Sequence, residues 1–324
     1  MREALQQRCT LFIENRDELK RTFRLENSYL YPVCANIFSA RGIPARQETL
    51  RRCNDLLREN TGVFSNFRGT VRMAVVSILA TDPAPEARIR RMQENYRLLK
   101  QHYFSSEYLS LVAMLLTETA EGPAAAEVIA RGREIYNKMK QEHPFLTSGE
   151  DSVFATLLAQ SPKDDYALIA DMEDCYARLR PTFHAGNDLQ AVTHVLALGQ
   201  GATLEKSARL IALFEGIKKS GGKYGRHHEL PVLAALSIMP VDVRQAVADM
   251  MDVDAFLAQQ KGYGVFSLDR RTRMMHAAML VSDEYAPYAA GEAAVLGGTV
   301  AMIAAQQAAM CAVIASSSTS SAST

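Results

Sequence analysis

The amino-acid sequence predicts an all-α protein: a right-handed α-solenoid of about seven HEAT- or TPR-like helix pairs, with an Ala-rich helix after the last pair. Three observations carry this. A large aromatic residue returns at Phe23, Phe64, Phe104, Phe145, Phe183, Tyr224 and Phe266, with successive gaps of 41, 40, 41, 38, 41 and 42 residues. Between these anchors a short apolar stretch alternates with a longer amphipathic one, which is the pattern of paired helices. Sustained period-two alternation and Asn-Gly hairpin turns are absent, so no sheet is expected.

The elements follow in order. An N-terminal helix runs from Arg2 to Lys20. Short apolar helices follow the anchors, over Phe64 to Ala80, Phe104 to Leu116, Phe145 to Leu158, Phe183 to Leu198, Tyr224 to Met239 and Phe266 to Leu280. Longer amphipathic helices run from Pro85 to His102, Ala124 to Gln141, Asp164 to Leu179 and Leu204 to Lys219, with Tyr96, Tyr136, Tyr176 and Phe214 on their inner faces. The segment 241–262 is the least regular of these, with a break expected at Met250 to Asp254. Thr147 with Glu150 and Asn187 with Gln190 have capping-box spacing, while Asp82 before Pro83 and Ser161 before Pro162 read as N-caps. The recurring aromatic is expected to be a core wedge that sets the angle between successive pairs.

This organisation implies one repeat domain over residues 1–285, an apolar helix over 286–315 and a flexible Ser/Thr tail over 316–324. Ala293 to Ala315 holds 23 uncharged residues, a length that spans a bilayer. Its alanines, the central Gln306 and Gln307 and the lack of flanking Lys or Arg favour a helix packed on protein.

Composition is balanced, with 36 Lys and Arg against 36 Asp and Glu. The balance hides a gradient: residues 1–100 hold 18 basic and 11 acidic side chains, and residues 101–200 hold 7 and 14. The basic residues alternate with acids on helix faces and form no continuous stripe, so nucleic acid is not an expected partner. Cys9, Cys34, Cys53, Cys175 and Cys311 are scattered and odd in number, which points to reduced thiols in a cytoplasmic protein, without disulfide, metal or cofactor.

Candidate site residues are few. His102 and His143 each precede an anchor by two residues and fit a repeated capping role. Lys218, Lys219, Lys223, Arg226, His227 and His228 form a basic loop ahead of a helix, the best candidate for an anion site. Gly199 to Ser207 superficially resembles a phosphate loop, but Glu205 replaces the glycine before the lysine and no strand precedes it; Thr203 is expected as a helix cap there. Residues just after each anchor fall on one edge of a stack, so Arg68, Glu107, Arg226, His227, His228 and Arg271 are the contact candidates, and no catalytic set is recognisable.

Asn60-Thr-Gly-Val-Phe-Ser-Asn-Phe-Arg-Gly69, Phe104-Ser-Ser-Glu-Tyr-Leu109, His143-Pro-Phe-Leu-Thr-Ser148, His194-Val-Leu-Ala-Leu-Gly199 and Ala305-Gln-Gln-Ala-Ala309 together resemble an uncharacterised bacterial family known only as a domain of unknown function. The resemblance implies a helical intracellular protein and supplies no activity. The leading functional expectation is a non-enzymatic scaffold for a protein or peptide partner, with self-association as a further option; membrane contact is expected only through Ala293 to Ala315. The rival is an enzyme or small-molecule binder with a pocket on the concave face, near Arg226 and His227.

Overall fold

In a computed structural model, all residues are described except 64, 121, 265–267, 287–310 and 312–324. The described residues form α-helices, one short 3-10 turn at Asn66–Arg68 and no strand. The anchors Phe64 and Phe266, the segment Ala293 to Ala315 apart from Cys311, and the Ser/Thr tail fall outside the described residues. The chain forms two compact units, one of Met1–Ile13 with the described residues of Ser161–Ala312, the other of Glu14–Gln160.

The second of these, unit 2, begins in the later part of α1 (Glu3–Thr22) and continues through α2 (Leu30–Ser39), α3 (Gln47–Asn60), α4 (Arg72–Ala80), α5 (Pro85–Leu99), α6 (Glu107–Thr119), α7 (Pro123–Glu142) and α8 (Asp151–Leu158). Two kinds of helix alternate. In α2 and α8 every residue is buried, and in α4 and α6 most are. By contrast α3 buries Leu50, Cys53 and Leu57, a single stripe at helical spacing with charge on the other faces. The fully buried helices pack on one another in order, α2 on α4 and α6 on α8, while α3 packs on α5 and α5 on α7, giving two layers.

Unit 1 repeats the plan with α9 (Asp165–Leu179), α10 (Asn187–Leu198), α11 (Thr203–Lys219), α12 (Leu230–Ser237), α13 (Val243–Ala258) and α14 (Arg270–Tyr285). Its core helices α10, α12 and α14 pack in succession beneath α9, α11 and α13. Arg2 and the start of α1 complete this unit: Arg2 donates to Asp249 Oδ2 and to the Tyr285 hydroxyl, each at 2.9 Å, and Arg8 reaches Glu284 at 3.4 Å. These contacts join residues 247 to 283 positions apart, a pairing that lies outside the nearest-neighbour scheme of a linear repeat.

Several local expectations are corrected. Phe183 and Tyr224 are buried wedges, but Phe104 is 98% and Phe145 97% exposed. At those two connections a neighbour turns inward instead: Tyr103 packs edge-on to Tyr136 at 5.6 Å, and the Thr147 hydroxyl donates to the Met139 carbonyl at the end of α7. Thr147 therefore closes the preceding helix, and Asp151 receives the Ser148 N–H at 2.6 Å. Asn187 starts α10 behind Gly186 with no side-chain cap, and α11 starts at Thr203 behind Ala202, the Thr203 hydroxyl donating to Asp171. Asp164 rather than Ser161 caps α9, and α5 begins at Pro85, after an Asp82 turn. Finally, α13 is unbroken through Met250 to Asp254, because Met250, Val253, Asp254 and Leu257 all face the interior at helical spacing.

Candidate functional site

In unit 1 the connections entering α10 and α12, together with the start of α14, enclose a cleft of about 280 Å³. Local sequence shapes it. Helix α11 ends at Lys219, where Gly221 at φ 79° lets the chain reverse; the Gly222 N–H donates to the Ile217 carbonyl and the Gly221 N–H to that of Lys218. This is the paired closure that glycine in the left-handed region permits. The chain then plunges to Tyr224, whose buried hydroxyl donates to the Glu229 carbonyl at 2.9 Å. Burial raises the Tyr224 phenol far above its ordinary range, with Glu229 adding to the effect, so it stays a neutral donor.

Gly225 is required by what lies on it. A Cβ there would overlap the Glu229 carboxylate, which is buried and also accepts the His227 N–H at 3.4 Å. The loop is thus folded around an internal acid, and its cations point the other way. Arg226 is held on two sides: its guanidinium lies 4.9 Å over the Phe214 ring and donates to the Thr182 carbonyl at 3.0 Å. Phe214 is in turn fixed edge-on by the anchor Phe183 at 5.2 Å. His227 stacks on His184 with centroids 6.5 Å apart, and its Nδ1 lies 3.3 Å from Asp188.

The cleft wall carries Lys218, Lys223, Arg226 and Arg271 with His184 and His227, over a floor of Phe214, Gly222 and Tyr224. No acid is among these lining residues. Four permanent cations around one small volume create a positive potential that favours an anion. Two acids outside the lining offset part of this charge: Asp188 lies 3.3 Å from His227 Nδ1, and Glu215 lies 3.8 Å from Lys218.

Three of the contact candidates, Arg226, His227 and Arg271, therefore come together at this cleft. His228 does not line it; its Nε2 lies 3.7 Å from Glu229. Arg68 and Glu107 belong to unit 2 and close its turns: Arg68 donates to Thr61 and to the Arg58 carbonyl at the end of α3, and Glu107 accepts the Thr70 N–H at 2.7 Å. His102 and His143 lie at the ends of α5 and α7, His143 directly following the helix. His184 and Phe214 escape sequence reasoning. The available signal was that His184 follows an anchor by one residue as Arg226 follows the next by two.

Other chemistry is limited. Among the described residues no cluster of His, Cys, Asp or Glu is arranged to hold a metal ion. All five cysteines are buried, and burial pushes the Cys9 thiol up to about 12 and the Cys53 thiol up to about 11, away from thiolate reactivity. Among the described residues no helix is long and apolar enough to cross a membrane.

Among the described residues, fold and site thus define a protein of packed helical hairpins with a cationic cleft in unit 1. The chain belongs to the family described as protein of unknown function DUF4003, whose model matches residues 15–308. It is 30% identical over 216 residues to the uncharacterized protein YeaA of Bacillus subtilis (strain 168), a match covering 63% of this chain and 64% of YeaA. The chain therefore spans less than two thirds of that relative's length. No solved structure matches it.

Proposed function

We propose that the protein binds a small anionic molecule, a phosphate ester or polycarboxylate, in the cleft of unit 1. The observation that carries this is the convergence of Lys218, Lys223, Arg226 and Arg271 with two histidines on about 280 Å³, with no acid in the lining. Arg226 is already oriented by Phe214 and Thr182, so an incoming oxyanion meets a guanidinium whose freedom has been restricted before binding. The volume suits a small metabolite rather than a peptide.

In this reading the helix pairs are repeated units of about 40 residues, and their outer-to-inner connections are where ligand contacts accumulate. A solenoid of such pairs in the cytoplasm remains the architecture and location proposed from the sequence. The test is titration of the full chain with inorganic phosphate, citrate and a sugar phosphate, read by calorimetry and by the shift in unfolding temperature. Binding of at least one, weakened about tenfold or more by Arg226→Ala and by Arg271→Ala, is the expected result. Equal binding by both variants, or no thermal shift with any anion, defeats the proposal.

The competing reading, a scaffold for a protein or peptide partner, draws support from a different observation, the exposed apolar side chains of unit 2.

A further inference from the structure

The hairpin connections of unit 2 lie side by side at one end of its helices. Arg72 beyond the second connection pairs with Glu26 in the first. Asn66 in the second donates to Ser105 in the third at 2.9 Å, and the fourth packs at Gly149 against the Tyr108 ring. Each connection raises one large apolar side chain into solvent: Leu25 at 100% exposure, Val63 at 74%, and Phe104 and Phe145 as already given. The flanking helices end at the same rim with Lys20, Arg21, Arg24, Arg58, Lys100 and Lys140 exposed, against the exposed acids Glu59 and Glu142. Arg21 and Arg58 have acids one turn away, at Glu18 and Asp55, and Lys20, Arg24, Lys100 and Lys140 outnumber Glu59 and Glu142, which leaves a small positive excess among these side chains.

We propose that this rim of unit 2 docks peripherally on an anionic lipid surface, with the four apolar tips entering the headgroup layer and the basic residues meeting the headgroups. Two features favour lipid over a protein. The tips stand on separate hairpins, spaced by about the 10 Å of helix packing, so a protein would have to offer a fitted pocket to each, whereas a fluid interface accepts each independently. The charge at the rim is of the sign that attracts acidic lipid. The anchors Phe183 and Tyr224 of unit 1 are buried, as Phe23 is in unit 2, so among the described anchors Phe104 and Phe145 are the ones that stand in solvent.

The experiment is co-sedimentation of the full chain with vesicles of phosphatidylcholine alone and of phosphatidylcholine with about one third phosphatidylglycerol. The full chain should bind the mixed vesicles, less so at high salt, and should bind the neutral ones at least severalfold more weakly. The combined variant Leu25→Ser, Phe104→Ser, Phe145→Ser should bind about tenfold or more weakly with an unchanged unfolding transition, because its three side chains pack against nothing. Leu204→Ser, at a 60% exposed position in unit 1, should bind as the natural chain does. A natural chain that ignores anionic vesicles overturns the proposal. So does a combined variant that still binds them, or one that loses self-association while keeping lipid binding, the latter marking the rim as a face between copies. None of these substitutions touches the anion cleft, so the two proposals fail separately.

Discussion

Units 1 and 2 use the same alternation of buried and one-sided helices, and Phe23 of unit 2 is buried like the anchors of unit 1, yet at two later connections unit 2 treats the anchor in the opposite way. In unit 1, Phe183 and Tyr224 turn inward, and the polar residues next to them, His184 and Arg226, are thereby turned toward a common cleft. In unit 2, Tyr103 and Thr147 take the inward place, and Phe104 and Phe145 are left in solvent. A one- or two-residue difference in which side chain enters the core is enough to exchange a cationic pocket for an apolar rim. The connection is where this fold varies, because its helices are held by burial and its turns are not.

The largest expected effect follows from that difference. Phe183→Ala removes a fully buried ring packed on Phe214 and should destabilise unit 1 by about 3–4 kcal/mol. Phe104→Ala, at the matching position of unit 2, should change stability by less than about 0.5 kcal/mol. Urea unfolding of the pair breaks the comparison if the two losses are similar.

A pH effect confined to unit 2 comes next. Burial pushes the Asp151 carboxyl up to about 7, with Glu150 adding to the shift and the Ser148 N–H and Lys140 opposing it. In the unfolded chain the group titrates near its ordinary value, so across the interval from about pH 4 to about pH 7 the folded state holds a proton that the unfolded state has lost. Stability is therefore fullest below about pH 4 as far as this group is concerned, and falls as pH rises to about 7, by on the order of 3 kcal/mol. Asp151→Asn keeps the acceptor for Ser148 and should flatten that slope, making the variant the more stable chain at about pH 8. A parallel pH dependence in the two proteins sinks this assignment.

Glycine at a connection sharpens the comparison further. Gly225→Ala in unit 1 drives a methyl into the Glu229 carboxylate and should cost about 2 kcal/mol, with weaker anion binding because the loop carrying Arg226 must shift. Gly62→Ala in unit 2 meets nothing within 4 Å and should be neutral or stabilise by about 0.5 kcal/mol. Thermal melts of both variants, with and without phosphate, measure the contrast.

The helices and their alternation were legible because burial imposes helical spacing that survives in the sequence, as in Leu168, Met172, Cys175 and Leu179 of α9. The basic cluster around Arg226 was legible as a run of charges. Which side chain of a connection turns inward was not, since Tyr103 and Phe104 are chemically alike and only the docking of Tyr136 separates them. Caps failed for a related reason: Thr147 has the spacing to start α8, but its hydroxyl donates back to the Met139 carbonyl in the last turn of α7, beside the His143 N–H. The partnership of His184 with His227 depends on α9 and α11 lying together, which no local pattern encodes.

The smallest expected effect bears on how the cleft is prepared. Arg226→Lys keeps the charge but loses the planar group that lies over Phe214 and reaches the Thr182 carbonyl. If the cleft works by charge alone, anion affinity should barely change. If it works by a pre-oriented guanidinium, the lysine variant should lose severalfold in affinity while stability falls by only about 1 kcal/mol, the scale of one cation–π contact and one hydrogen bond. Calorimetric titration of both proteins with the same anion separates the cases, and the second is expected, because an ammonium on a flexible stem must be ordered by the ligand itself.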